Sequence, residues 1–215
     1  MEYKYKSYWR KSGLKGKWGN IFLEHLKKCN PKTFLEIGVF CGVTAINTCN
    51  FLKSVHGQKF QYIGVDLFGG VKSTDFDEIE PNFLTNQKFS NPLKNLYYNI
   101  ILKENLNSIE SVNKLLRNYK NNINLIKGDT NSVLKNINLS KIDYAFIDGG
   151  HSYKTVLNDL NLLYESLKGK NKILLCDDYG EESIIKEVKD AIDDFVKSNN
   201  LNLNIIANRF AEIIT

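Results

Sequence analysis

No stretch of the sequence reaches the roughly 18 consecutive apolar residues that a membrane-spanning helix needs, so no span is expected. The start is charged and has no apolar run, which argues against a secretory leader. The four cysteines, Cys29, Cys41, Cys49 and Cys176, form no CxxC pair, and none shows zinc-ligand spacing with His25, His56 or His151. Their apolar neighbours suggest buried thiols in a reducing compartment, and a soluble cytoplasmic protein is expected. There is no internal repeat, no low-complexity segment and no appended RNA-binding module. Positive charge is not interleaved with aromatics near the expected cleft, so nucleic acid is an unfavoured partner. The aromatic-rich start, Tyr3, Tyr5, Tyr8 and Trp9, is the feature that would support one.

What is present is ordinary for one globular domain spanning 1–215: 42% hydrophobic and 25% charged residues, with a net charge of +5. Much of the positive excess lies in residues 1–30, at Lys4, Lys6, Arg10, Lys11, Lys15 and Lys17, which read as a solvated helical lead-in. Short apolar runs then alternate with helical stripes, the pattern of an α/β fold with a parallel sheet. Strands are predicted at 33–37, 62–66, 124–127, 142–148 and 172–177. Val156, Leu157, Leu160, Leu163, Tyr164 and Leu167 recur at helical spacing, as do Ile184, Ile185, Val188, Ile192, Phe195 and Val196. Runs at 203–207 and 211–214, linked at Asn208-Arg209, predict a closing antiparallel hairpin. The segment 67–122 is too long for one crossover helix. It carries the acids Asp75, Asp77, Glu78 and Glu80 and a predicted helix over 93–106, and it reads as an insertion or lid.

The first strand runs into Glu36-Ile37-Gly38-Val39-Phe40-Cys41-Gly42 and then a helix. Ligands of open parallel sheets bind at the carboxyl ends of strands, and a helix N-terminus favours a carboxylate. Thr44 adds a hydroxyl there. Asp66 ends the second strand, where an acid accepts ribose hydroxyls. Asp129, followed by Thr130, ends the third, where an adenine edge would lie. A dinucleotide loop wants G-x-G-x-x-G to admit a pyrophosphate, and only Gly38 and Gly42 are present. A cationic, phosphate-free cofactor suits the loop better.

The Glu-x-Gly-x-x-x-Gly loop and the following strand-end acid resemble the class I S-adenosylmethionine-dependent methyltransferases. The stretch Ile142-Asp143-Tyr144-Ala145-Phe146-Ile147-Asp148-Gly149-Gly150-His151-Ser152-Tyr153, with Leu174-Leu175-Cys176-Asp177-Asp178-Tyr179, resembles the macrocin-type sugar O-methyltransferases. The resemblance implies a Rossmann-like, seven-stranded, mostly parallel sheet with a C-terminal antiparallel strand. It also implies that Glu36, Gly38, Thr44, Asp66 and Asp129 surround the cofactor. Val39, Phe40, Gly42, Thr130 and Asp148 complete the expected cofactor set.

Asp148 closes the fourth predicted strand and Asp177-Asp178 the fifth, so three carboxylates would crowd one cleft. They would repel or take up protons unless a hard cation joined them, Mg²⁺ foremost. The resemblance gives these three acids the same metal role. Coordination lowers the pKa of an acceptor hydroxyl and orients it, and a base must still take its proton. Several sugar-methylating relatives carry an acid two residues after the first aspartate, where this chain has Gly150. In catechol-type relatives a lysine stands at the spacing of His151. Asp148 and His151 are therefore the expected catalytic pair. The expected activity is Mg²⁺-dependent O-methylation of a sugar or glycosylated small molecule. N-methylation of an amino sugar, nucleic-acid methylation and a non-catalytic cofactor-binding protein are the alternatives, and a homodimer is compatible with all of them.

Overall fold

The computed structural model describes residues 4–69, 75, 77–78 and 86–215. Seven strands form one sheet: β1 Thr33–Ile37, β2 Gln61–Asp66, β3 Ile123–Lys127, β4 Tyr144–Ile147, β5 Ile173–Cys176, β6 Leu203–Ile206 and β7 Phe210–Ile214. The order is β3-β2-β1-β4-β5-β7-β6. All neighbours from β3 through β5 run parallel, and β7 is antiparallel to both β5 and β6. The predicted seven-stranded architecture and its terminal hairpin are thus present. Strand order reverses between β1 and β4, which opens a crevice outside their carboxyl ends.

Alternation along the strands assigns each side chain to a layer. Phe34, Tyr62, Tyr144, Phe146 and Phe210 face one side, where α1 (Gly16–Cys29) and α2 (Val43–His56) pack. Phe34 stacks between Tyr62 and Tyr144, with ring centroids 6.0 and 5.2 Å apart. Leu35, Ile37, Val65, Ala145, Ile147, Leu174 and Ile213 face the other side. That layer holds the predicted stripe Val156–Leu167, now helix Tyr153–Leu167, and the helix Lys186–Ser198. Ile184 stands outside the latter helix and is half exposed. Its neighbour Ile185 is extended and donates its amide to Asp178 O, which draws the chain back to the end of β5 before the helix begins.

The stretch between β2 and β3 divides in two. The helix Ile109–Leu115 packs Val112 and Leu116 into the core beneath the loop that follows β1. The predicted helix over 93–106 is shorter: one α-turn at Pro92–Asn95 continues as π-helix through Ile101. Side chains compete for the backbone here. Asn95 bonds both the amide and the carbonyl of Phe89, Asn99 reaches Gln87 O, and Lys103 turns left-handed at φ 49°. Of the expected lid, Glu80 and Pro81 lie outside the described residues, and Asp75, Asp77 and Glu78 are described.

The lysines of the basic N-terminal segment (Lys4, Lys6, Lys11, Lys15 and Lys17) are exposed, as a solvated lead-in requires, but its backbone and Arg10 are tied down. The Tyr5 amide donates to Asn20, and Lys6 exchanges two hydrogen bonds with Asn47 on α2. Arg10 is buried. Its guanidinium donates to Cys41 O, Leu106 O, Ser111 O and Oγ, and Glu104 Oε1. One side chain thus joins the N-terminal segment, the post-β1 loop and the β2–β3 crossover. Among the described residues, no helix is long and apolar enough to cross a membrane. Arg10→Ala removes an ion-pair partner of Glu104 and the donor to three carbonyls, so the expected cost is about 3 kcal/mol in urea unfolding. A loss below about 0.5 kcal/mol would show that the anchor is dispensable.

Candidate active site

A cavity of about 350 Å³ opens at the switch point, within the roughly 300–1,000 Å³ range of small-molecule clefts. Gly38 begins its floor. It adopts φ +90°, and a Cβ there would lie 1.9 Å from Asp148 O, so only glycine lets β1 exit beside β4. Val39 and Phe40 follow along the wall. Asp66, at the end of β2, holds this loop: its carboxylate accepts the Phe40 amide at 2.7 Å and the Phe68 amide at 2.6 Å. Asp66 also lines the cavity, where a carboxylate oxygen can accept from a ligand hydroxyl. Asp129 and Thr130 line the next stretch, with Asp129 capping the short helix Thr130–Val133 through the Asn131 amide.

Three expected cofactor residues differ from the wall residues in position or bonding. Strand parity turns Glu36 away from the cleft and into the α1–α2 layer, where it accepts from Tyr62 Oη at 2.6 Å. Burial, with Asp66 adding to it, pushes the Glu36 carboxyl up to about 8. Gly42 starts α2 below the surface and packs on Val112 and Leu115. Thr44 lines the cavity, but its hydroxyl already meets Tyr5 Oη at 2.9 Å. That tyrosine continues to Ser12 at 3.2 Å, and Lys11, Ser12 and Gly13 form part of the cavity wall. The sequence carried no signal for this arrangement, because the segment has no periodicity and its partners lie far along the chain.

The far end of the cleft is acidic. Asp148 lies just past β4, and burial together with Asp177 and Asp178 raises its pKa well above the usual carboxylate range. Asp177 does not join the expected ligand trio. Arg209, from the β6–β7 turn, grips it bidentately, Nε to Oδ1 and Nη2 to Oδ2, both at 2.6 Å. Asp148, His151 and Asp178 bring one donor atom each within 4.8 Å of one another. His151 Nε2 lies 3.4 Å from Asp178 Oδ2, and its Nδ1 lies 3.9 Å from Glu78 Oε1. The hydrogen bond to Asp178 raises the imidazole pKa, and burial opposes that rise.

Glu78 was one of several acids in the long segment with nothing to single it out. Here it reaches the N-terminus of the helix Tyr153–Leu167, where Oε1 accepts the His151 amide at 2.7 Å and Oε2 the Ser152 amide at 3.0 Å. Its Oε2 lies 2.7 Å from where a Cβ on Gly150 would stand. A carboxylate from another segment therefore fills the space beside the glycine. Asp75 supports it by accepting from the hydroxyls of Ser152 and Thr155.

The donor set fits a divalent ion. Asp148 and Asp178 offer carboxylate oxygens to an oxygen-seeking cation, and a cation there would offset the burial and mutual repulsion that favour the protonated form of Asp148. The wall from Gly38 to Thr130 fits an adenosyl-amino-acid cofactor. It has apolar side chains at Ile37, Val39 and Leu67 and places acids at the ends of β2 and β3.

A family model described as a methyltransferase domain matches residues 35–179. No curated protein sequence matches the chain. Solved structures do match it. The O-methyltransferase NovP is 19% identical with TM-score 0.60, over 92% of this chain and 80% of that one. The calicheamicin methyltransferase CalS11 is 18% identical with TM-score 0.58, over 90% and 77%. The Podospora anserina methyltransferase PaMTH1, solved with bound S-adenosylhomocysteine, is 14% identical with TM-score 0.58, over 93% and 79%. At these identities the likeness establishes the fold.

Glu36 supplies a test of the buried layer. Its pKa rises from 4.5 to about 8 on folding, so the native state holds an extra proton between those values. The resulting stability is full below 4.5 and is lost as pH rises through about 8. Glu36→Gln keeps an acceptor for Tyr62 and removes the titration. Its melting temperature is expected to fall less than the wild type's between about pH 5 and 8. Parallel curves would contradict the assignment.

Proposed function

This chain belongs to the methyltransferase-domain family, and from that premise we propose that it methylates a hydroxyl of a sugar or glycosylated small molecule, as a macrocin-type enzyme. The reading rests chiefly on the Asp148–His151–Asp178 group at one end of a cleft whose other end suits S-adenosylmethionine. The bound cofactor supplies a methyl on a cationic sulfur, and a bound Mg²⁺ supplies Lewis acidity to the acceptor oxygen.

The chain's own groups divide the remaining work. Asp66 and the loop it holds present backbone and carboxylate to the nucleoside and amino-acid parts. Asp148 and Asp178 are the ligands for Mg²⁺, because a hard ion prefers oxygen to imidazole. That preference leaves His151 to take the hydroxyl proton, with Asp178 and Glu78 on its two sides to stabilise the imidazolium. Placement supplies much of the rate in such an in-line displacement. The N-terminal segment and Glu78 narrow the cleft around the acceptor. A sugar suits this end: carboxylates are plentiful for hydroxyl donors, while Phe40 is the sole aromatic among the described wall residues outside His151.

Calorimetry with S-adenosylhomocysteine is expected to show binding by the wild type, and NAD none. NAD binding without S-adenosylhomocysteine binding would sink the cofactor assignment. In a methyl-transfer assay across sugar nucleotides and simple glycosides, chelator is expected to abolish turnover. His151→Ala should lower kcat by about 10²-fold or more. Full turnover in chelator would remove the metal from the mechanism, and full turnover of the His151 variant would remove the base.

A further inference from the structure

A second group of mixed donors stands outside the cleft. His25 and Cys29 lie one turn apart on α1, so they share a helix face. Glu212, on β7 and 187 residues from His25, completes the group. One donor atom from each lies within 4.8 Å of the others, and none of the three lines the cavity. Zinc-ligand spacing is absent from the sequence because this third donor is remote in the chain. We propose that His25, Cys29 and Glu212 form a site for Zn²⁺ or a similar thiophilic divalent ion, which clamps α1 to the terminal hairpin.

The donor chemistry differs from that of the cleft. A thiolate, an imidazole and a carboxylate are three of the common zinc donors, and water takes the fourth tetrahedral position. Thiolate selects against hard ions such as Mg²⁺. The spacing is near that of a bound site: Cys29 Sγ lies 3.8 Å from both His25 ring nitrogens. Ideal zinc bonds place nitrogen and sulfur donors about 3.5 Å apart. The His25 Nε2–Glu212 Oε2 hydrogen bond, 2.6 Å long, opens by roughly half an ångström as the ion takes its place.

The surroundings orient both partners. His25 Nδ1 meets the hydroxyl of fully buried Tyr144 at 2.7 Å, which aims Nε2 at the site. Asn204 Nδ2 donates to Glu212 Oε1 at 3.0 Å, which leaves Oε2 facing His25. Outer hydrogen bonds of this kind fix metal ligands. On binding, the thiol proton leaves to solvent, and the ring proton that Nε2 shares with Glu212 Oε2 gives way to the ion and is carried instead on Nδ1, which donates to the Tyr144 oxygen. Cys29 is only half buried, so an ion has a way in.

The test uses the full chain, stripped with chelator and titrated with Co²⁺ and then Zn²⁺. Co²⁺ is expected to give one thiolate-to-cobalt charge-transfer band in the near ultraviolet, saturating at one ion per chain and displaced by Zn²⁺. Cys29→Ser, a near-isosteric change at a half-buried position, should abolish the band, and Asp178→Asn should leave it intact. Asn204→Ala should weaken Zn²⁺ binding about 10-fold. No band in the wild type, or a band that survives in Cys29→Ser, would overturn the proposal. The thiolate signature makes this independent of the cleft, whose carboxylates cannot produce it.

Discussion

The pairing of Arg209 with Asp177 decides what the acidic end of the cleft becomes. Parallel β4 and β5 deliver Asp148, Asp177 and Asp178 to one place, an arrangement that burial alone would drive to protonation. The guanidinium comes from the turn of the one antiparallel hairpin in the sheet. It neutralises the deepest acid bidentately and fastens that hairpin over the end of β5. What remains is a two-carboxylate opening with an imidazole beside it. The reversed strand is thus a chemical component of the site as well as an edge to the sheet.

The cofactor end depends on a similar division of labour. Asp66 holds the loop through the amides of Phe40 and Phe68 and also lines the cavity. The loop is gripped a second time from outside, through Arg10 on Cys41 O. Tyr5 and Ser12 then close the wall above Thr44. The N-terminal segment is therefore a structural part of the cleft, anchored through buried Arg10 while its lysines stay exposed.

Much of this was legible in the sequence. Strands buried on both faces read as apolar runs, and their carboxyl ends are marked by Gly38, Asp66, Asp129, Asp148 and Asp177. Those positions follow from local pattern plus one topological rule, and the structure places them as that rule requires. What was not legible depends on side-chain direction or remote contact. Glu36 is adjacent to the loop in sequence, but strand parity turns it to the other layer. Asp177 and Asp178 are indistinguishable as neighbours until Arg209 claims one. Glu78 gains meaning only when its carboxylate fills the space beside Gly150. The helix over 93–106 failed for a local reason, since Asn95 and Asn99 bond backbone outside the helix.

The central claim is that a divalent ion belongs to Asp148 and Asp178, with Asp177 excluded by Arg209. The most direct test counts Mn²⁺ by electron paramagnetic resonance in the complex with S-adenosylhomocysteine, for wild type and Asp178→Asn, each carrying Cys29→Ser to silence the thiol site. One bound ion in the parent, lost in the Asp178 variant, is the result this account predicts. An ion count that Asp178→Asn leaves unchanged would contradict it.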